Sequence, residues 1–343
     1  MNDLLRTIIN AAGVPGYENE IAKILYDELK KTCREVSIDT FGNVIARKGK
    51  GKNKIMLAAH MDEVGFVVKH ISKEGFLSFI KVGGIDDRVL PAQRVVIKAK
   101  KKDILGIIGT KPPHLLKDEE RKQLLKYEDM FIDIGCKNKE EAEKAVSIGD
   151  AVLFEPNAGV LNGKLYYGKA IDDRVGCFAL IEIMKKLSVD AEVYAVATVQ
   201  EEVGLKGART SSYKINPDFA IAIDTTIAGD TPSIRERESC LKLGSGVAIT
   251  IIEASGRGLI VNERIRNLFV ETAKKNRIPY QMDVIDGGMT DGAMIYMNRE
   301  GIPTGVLSIP TRYIHSATGV FNIQDVECAI TLALESLEMM AKW

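Results

Sequence analysis

Five separated stretches of this chain carry residue types that bind divalent ions and move protons. The apolar run "IMLAAH" ends in His60, with Glu63 and Asp62 just beyond it. "GKAIDDRVG" contributes Asp172 and Asp173, "YAVATVQEEVG" contributes Glu201 and Glu202, "FAIAID" ends in Asp224, and "SIPTRYIHS" holds His315. Two imidazoles with three or more carboxylates suit a pair of divalent ions. Mixed nitrogen and oxygen donors fit Zn, Co or Mn, and one carboxylate can bridge two ions. Asp62, two residues past His60, is placed to hold the other ring nitrogen and so fix the tautomer. A remaining carboxylate of the Glu201–Glu202 pair can act as general base toward water.

Each signal is weak by itself. A histidine at a strand end is more often structural, an aspartate pair before a helix more often caps it, and a glutamate pair is usually solvated. Asp224 alone could be a turn residue. Their joint occurrence at the ends of apolar runs carries the reading, because open α/β sheets collect functional groups beyond the carboxyl ends of their strands.

The elements that must position these groups are legible from periodicity. Residues 54–60 form a short continuous apolar run, as expected of a strand buried on both faces. Further strands are expected over 191–200, 219–224 and 304–310, and "EVSIDTFGNVIARKG" reads as two strands joined by a Phe-Gly-Asn turn. Helical spacing places Ile21, Ile24, Leu25 and Leu29 on one stripe, and helices are also expected over 172–187, 262–276 and 323–343. From about 66 to 165 the pattern changes to short β-rich runs, helical only near 117–127 and 138–147. The expected architecture is α/β: a mixed sheet flanked by helices, built from 1–65 and 166–343, with a small β-barrel domain over 66–165 inserted between.

Composition narrows the function. Lys plus Arg and Asp plus Glu are 47 each, giving a formal net charge of zero, which argues against a nucleic-acid partner. No apolar stretch approaches a membrane span, and no secretory leader is visible at "MNDLLRTIINAAG". The five cysteines are scattered, never form a CxxC pair, and read as small hydrophobes, in keeping with a cytoplasmic protein. His70 is expected at a strand surface and His114 in a loop. Arg174, Arg209 and Arg312 are expected as salt-bridge partners, and Glu63 as exposed.

Taken in order, "AAHMDEVGF", "GKAIDDRVG", "VQEEVGLKGA", "AIDTT" and "SIPTRYIHS" resemble the TET aminopeptidases, a group that includes glutamyl and deblocking aminopeptidases. The resemblance spans the chain, including the inserted domain and its "TKPPHLL" segment. It implies a zinc-peptidase-like fold and a cytosolic dinuclear metallo-aminopeptidase acting on short peptides, with a dimerisation role for the insertion and assembly into a tetrahedral homododecamer. It implies that one ion takes His60, Asp172 and Asp224, and the other Asp172, Glu202 and His315, with Asp172 bridging. Glu201 would be the general base, Asp62 would orient His60, and "GGMTDGAMI" would lie near the substrate pocket. Two stretches depart from the pattern: "SATGVFN" after His315, where many relatives have Pro-Val-Glu, and "LGSGVAI", which lacks a common proline. Neither touches an expected ligand. Neutral or aliphatic N-terminal residues such as Leu are the expected substrates, with acidic residues as runner-up. The other readings are a related amidohydrolase (an N-acyl amino acid deacylase or carboxypeptidase) and a non-catalytic metal-binding assembly module.

Overall fold

The computed structural model describes the backbone of residues 1–343 and every side chain except that at position 120. Seventeen strands follow the chain. The first three are β1 (Glu35–Ile38), β2 (Val44–Lys48) and β3 (Lys54–His60). Six more follow: β4 (Gly65–Ile71), β5 (Leu77–Val82), β6 (Arg94–Ile97), β7 (Ile104–Gly109), β8 (Phe131–Asp133) and β9 (Ala151–Phe154). The remainder are β10 (Gly159–Leu161), β11 (Leu165–Gly168), β12 (Glu192–Thr198), β13 (Phe219–Ile227), β14 (Val247–Ile252), β15 (Tyr280–Val284), β16 (Thr304–Arg312) and β17 (Gly319–Asn322).

Eleven strands form one mixed sheet in the order β1-β2-β12-β3-β13-β16-β17-β11-β10, with β14 paired to β16 and β15 to β14. Its centre is parallel: β12 pairs β3, β3 pairs β13, and β13 pairs β16 all in the same direction. The carboxyl ends of these four strands therefore open on one edge. Strand β3 is buried on both faces, which is why it reads as a continuous apolar run. Ile55, Leu57 and Ala59 join the core formed with helices Asp3–Asn10, Asn19–Lys30, Ile171–Lys186, Glu263–Asn276 and Ile323–Met340. Met56 and Ala58, at the alternate positions, pack with Ala208, Ile215 and Ile295 of helices Lys206–Ile215 and Asp291–Tyr296. The helices are packed tightly enough that some sheet positions admit no side chain. A Cβ on Gly305 of β16 would lie 2.3 Å from Phe269 Cε2.

Strands β4-β5-β8-β7-β6-β9 close into a separate barrel. Its core is aromatic: Phe66 meets Phe79 and Phe154 edge-on at centroid distances of 5.1 and 5.3 Å. Such pairs contribute ~0.5–1.5 kcal/mol each beyond burial.

The elements and cysteines differ from the sequence expectations in four places. The helix expected over 117–127 is reduced to Asp118–Arg121. Strand β10, although within 66–165, pairs β11, which pairs β17, so it belongs to the large sheet. Strands β14 and β15 carry no clear period and were not expected; their place is set by pairing with β16. Cys33 and Cys177 are buried as small hydrophobes, but Cys240 is exposed. Among the described residues no helix is long and apolar enough to cross a membrane.

Candidate metal centre

The parallel register brings the chemistry together. Thr198 of β12 pairs with His60 at the end of β3, and Ala222↔Ala58 puts Asp224 of β13 level with His60. Strand β16 leads into the turn that carries His315. Asp172 arrives from the start of helix Ile171–Lys186, where it and Asp173 depart from helical φ/ψ before the regular turns begin. The regular turns start after Asp173, whose Oδ1 caps them by accepting from the Gly176 amide, and both aspartates lie at the sheet edge beside His60.

Asp172 links the two imidazoles. Its Oδ1 lies 3.2 Å from His60 Nε2 and its Oδ2 lies 3.0 Å from His315 Nε2. Asp224 Oδ1 is 3.8 Å and Glu201 Oε2 4.0 Å from His60 Nε2, while Glu202 Oε2 is 3.4 Å from His315 Nε2. Adjacent residues on an extended strand would point apart. Glu201 and Glu202 both face the cluster because β12 ends at Thr198 and Gln200 takes a positive φ of 56°. Gly204, at φ 117°, then closes the turn, with Gly204 and Leu205 donating to the Glu201 carbonyl.

Asp62 sits beneath this turn with no exposed surface. Its Oδ1 accepts from the Glu201 amide at 3.0 Å and its Oδ2 from the Glu202 amide at 3.1 Å. His60 Nδ1 lies 3.6 Å from Asp62 Oδ1 and 3.2 Å from the Asp62 carbonyl oxygen. The carboxylate thus backs both the ring and the glutamate turn.

The electrostatics describe a crowded anionic site. Burial pushes Glu201 and Asp224 well above the ordinary carboxylate range and Glu202 up to about 8. Burial would lower the His60 pKa, but Glu201, Asp172, Asp62 and Asp224 outweigh it and raise the pKa well above the ordinary imidazole value. His315 behaves alike: Asp172 and Glu202 overcome its burial and lift it to about 9. For Asp172 burial acts upward, yet the two imidazoles hold it well below the usual range. Protons here stand where cations would serve better. Glu202 Oε1 and Asp173 Oδ2 are buried without a hydrogen-bond partner. Ligand atoms of His60, Asp172 and Glu202 lie within 4.8 Å of one another, and so do those of His60, Asp173 and Asp224. The donor set and its unpartnered oxygens fit divalent metal ions.

Two buried carboxylates here are given no role by the sequence reading. Asp173 sits beside His60 and Asp224, its Oδ1 accepting from the Gly176 amide at 3.0 Å. Asp291 accepts from the Thr198 hydroxyl at the end of β12. The only sequence signals were the doubled aspartate and the Asp in "GGMTDGAMI". Glu63 is a correction: it is 1 % exposed, not solvated. Both its oxygens meet Lys169 Nζ, at 2.7 and 2.8 Å, and Arg174 Nη2 lies 3.2 Å from Oε1. Arg174 also donates to the carbonyls of Met61, Ile8 and Ala11, tying the first helix to the segment after His60. Arg312 pairs with Asp230. His70, in the barrel, and His114, in the 3-10 turn Pro113–Leu115, are exposed. A cavity of about 720 Å³ opens on the cluster, lined by His60, Asp172, Glu201, Glu202, Asp224 and His315 together with Gly287, Gly288, Met289 and Thr290 of "GGMTDGAMI".

Residues 42–332 match the M42 glutamyl aminopeptidase family. The chain is 36% identical over 341 residues to the lysyl aminopeptidase of Pyrococcus furiosus, covering 98% of this chain and 96% of that protein. Among solved structures it is similar to a TET aminopeptidase from a marine sediment Thaumarchaeota archaeon, with a TM-score of 0.95 and 40% identity over 98% of this chain and 95% of that one. It is also similar to the Pyrococcus horikoshii TET1 peptidase, which can assemble into a tetrahedron or a large octahedral shell. There the TM-score is 0.87 and the identity 36%, over 97% of this chain and 98% of that one. With its mixed sheet, closed barrel and metal-fitting cluster, the chain belongs to the M42 glutamyl aminopeptidase family and is a metallopeptidase of the aminopeptidase type.

Proposed function

We propose that the chain is a dinuclear metallo-aminopeptidase that removes N-terminal residues from short peptides, accepting neutral aliphatic ones such as Leu in preference to acidic ones. The observation that carries the dinuclear reading is Asp172, whose two oxygens address different imidazoles at 3.2 and 3.0 Å. His60 and Asp224, with Asp172, would hold one ion. Glu202 and His315, with Asp172, would hold the other. Zn or Co is the expected metal, with Mn a further fit. Two divalent ions there would supply Lewis acidity, polarising the scissile carbonyl and making water acidic near neutral pH.

The remaining steps fall to the chain's own residues. Glu201 is buried beside the cluster and is not needed to complete either ligand set. It takes the proton of the attacking water and passes it to the leaving amine. Asp62 keeps His60 in one orientation and fixes the backbone of Glu201 and Glu202. The substrate side chain enters a cavity with Ile227, Ile234, Val284 and Ile285 in its wall. No lysine or arginine among the described residues lines that cavity, which supports aliphatic over acidic N-terminal residues. The inserted barrel is proposed to dimerise, and the assembled protein to be a tetrahedral homododecamer of the cytoplasm.

The test compares leucyl, glutamyl and N-acetyl-leucyl chromogenic amides, with protein stripped of metal and then reloaded with Zn, Co or Mn. Turnover of the free-amine leucyl substrate alone, lost on chelation and regained at two ions per chain, is expected. Cleavage of the N-acetylated substrate would instead make the chain a deacylase, and full activity without metal would end the metal reading.

A further inference from the structure

The cavity wall holds carboxylates that the proposed chemistry does not use: Glu238, Asp283 and Asp286. They are not equivalent. Glu238 is already paired with Arg235, and Asp286 is exposed. Asp283 is only 8 % exposed. Thr226 Oγ1 donates to its Oδ2 at 2.8 Å, and Thr250 Oγ1 lies 3.5 Å away. Burial raises its pKa; the hydroxyls and the Val284 amide oppose that, and no cation contributes. A buried carboxylate served by neutral donors alone is short of a cation.

Its position gives that shortage a use. Thr226 lies two residues beyond Asp224 on β13, so both face the same side of the strand, roughly 7 Å apart along it. Asp283 is bonded to that threonine. A substrate whose first residue sits at Asp224 would therefore bring the end of a long side chain, about the reach of a lysine, to Asp283. The apolar residues of the wall would cover its methylene stem. With divalent ions set against Asp172, Glu201, Glu202 and Asp224, the uncompensated negative charge on the lining is that of Asp283 and Asp286.

We propose that Asp283 is a specificity-determining residue that receives the ammonium or guanidinium group of an N-terminal lysine or arginine, so that these residues are removed faster than aliphatic ones of the same length. This rests on the aminopeptidase reading, since it assigns the side-chain end of that same site. A purely structural role, stapling β13, β14 and β15 through Thr226 and Thr250, would leave substrate choice unaffected.

The experiment measures kcat/KM of the metal-loaded protein for lysyl, arginyl, norleucyl, Nε-acetyl-lysyl and leucyl amides. Calorimetry of lysinol and norleucinol, which have no scissile bond, gives binding apart from turnover. Expected is a preference of about tenfold or more for lysyl over norleucyl and over Nε-acetyl-lysyl, with lysinol the tighter ligand. Asp283→Asn retains an acceptor for the Thr226 hydroxyl. It should reduce the lysyl to norleucyl ratio by about tenfold while leucyl turnover stays within about threefold. Equal lysyl and norleucyl turnover in the unaltered protein, or an unchanged ratio in Asp283→Asn, overturns the assignment. Should the variant not fold, the lysyl against Nε-acetyl-lysyl comparison decides alone. Absence of turnover for leucyl and lysyl amides alike would instead count against the aminopeptidase reading.

Discussion

Asp62 Oδ1 accepts the backbone amide of Glu201 at 3.0 Å, tying the end of one parallel strand to the turn after its neighbour. Oδ2 does the same for Glu202, and His60 Nδ1 lies beside the group. An amide in place of this carboxylate offers one acceptor where two N–H donors point, and its NH2 would face the other. Asp62→Asn should therefore lower metal affinity or kcat by about 10–100-fold, the usual effect of losing a ligand's supporting partner. Metal content and kcat across a Zn or Co titration are the measurements. Activity and metal content equal to the unaltered protein would remove Asp62 from the machinery.

Glu63 makes the opposite kind of prediction, one of stability. It is the only carboxylate meeting both Lys169 and Arg174 among the described residues, and all three are essentially without exposed surface. Burial already presses Lys169 down to about 8, with Glu63 acting against it. Removing the anion by Glu63→Ala leaves two buried cations without their counter-charge, at a cost of about 3–5 kcal/mol. Urea unfolding at one fixed protein concentration reads this directly. A loss below about 1 kcal/mol would mean that the cations find other partners.

Much of this site was legible because its residues sit where apolar runs stop. His60 ends the apolar run of β3, Asp224 ends that of β13 and His315 follows β16, so their meeting at one edge needed only parallel pairing of these strands. The turn geometry was not legible. That Gln200 would take a positive φ and aim both glutamates inward depends on one residue's backbone and on Asp62 below it. Glu63 was misread for a related reason. Its partners Lys169 and Arg174 lie more than a hundred residues away in sequence, and a charged residue after a strand is solvated by default. Separation in sequence hid Asp291 too: it opens the helix Asp291–Tyr296, and its partner Thr198 lies 93 residues earlier at the end of β12. Strands β14 and β15 were missed because neither alternates cleanly, and tertiary pairing decides them.

Assembly can be checked without activity. The barrel exposes Leu105 and Ile107 at alternate positions of β7, 49% and 50% respectively. Twelve chains of 37.7 kDa give about 450 kDa, and a closed assembly of that mass is expected by light scattering at micromolar concentration. Replacing both residues by lysine should lower the mass, since charge is disfavoured in the core of an interface. A monomeric mass for the unaltered protein would end the dodecamer proposal. An unchanged mass in the double variant would move the contact away from this strand.

The sharpest division of labour lies between Glu201 and Glu202, neighbours in sequence that face different partners. Glu202 Oε2 lies 3.4 Å from His315, and its Oε1 is buried without a hydrogen-bond partner, as suits a group that holds an ion. Glu201 stands 4.0 Å from His60, outside both ligand sets that close within 4.8 Å. Glu201→Gln removes proton transfer but no proposed ligand. It should keep its metal and lose about 10²–10⁴ in kcat. Glu202→Gln weakens one ligand set, so it should lose part of its metal, and activity should climb back at high Zn or Co. Metal per chain and kcat at rising metal concentration separate the two. If Glu201→Gln sheds metal while Glu202→Gln keeps all of it and stays inactive, the roles of the two glutamates are the reverse of those proposed.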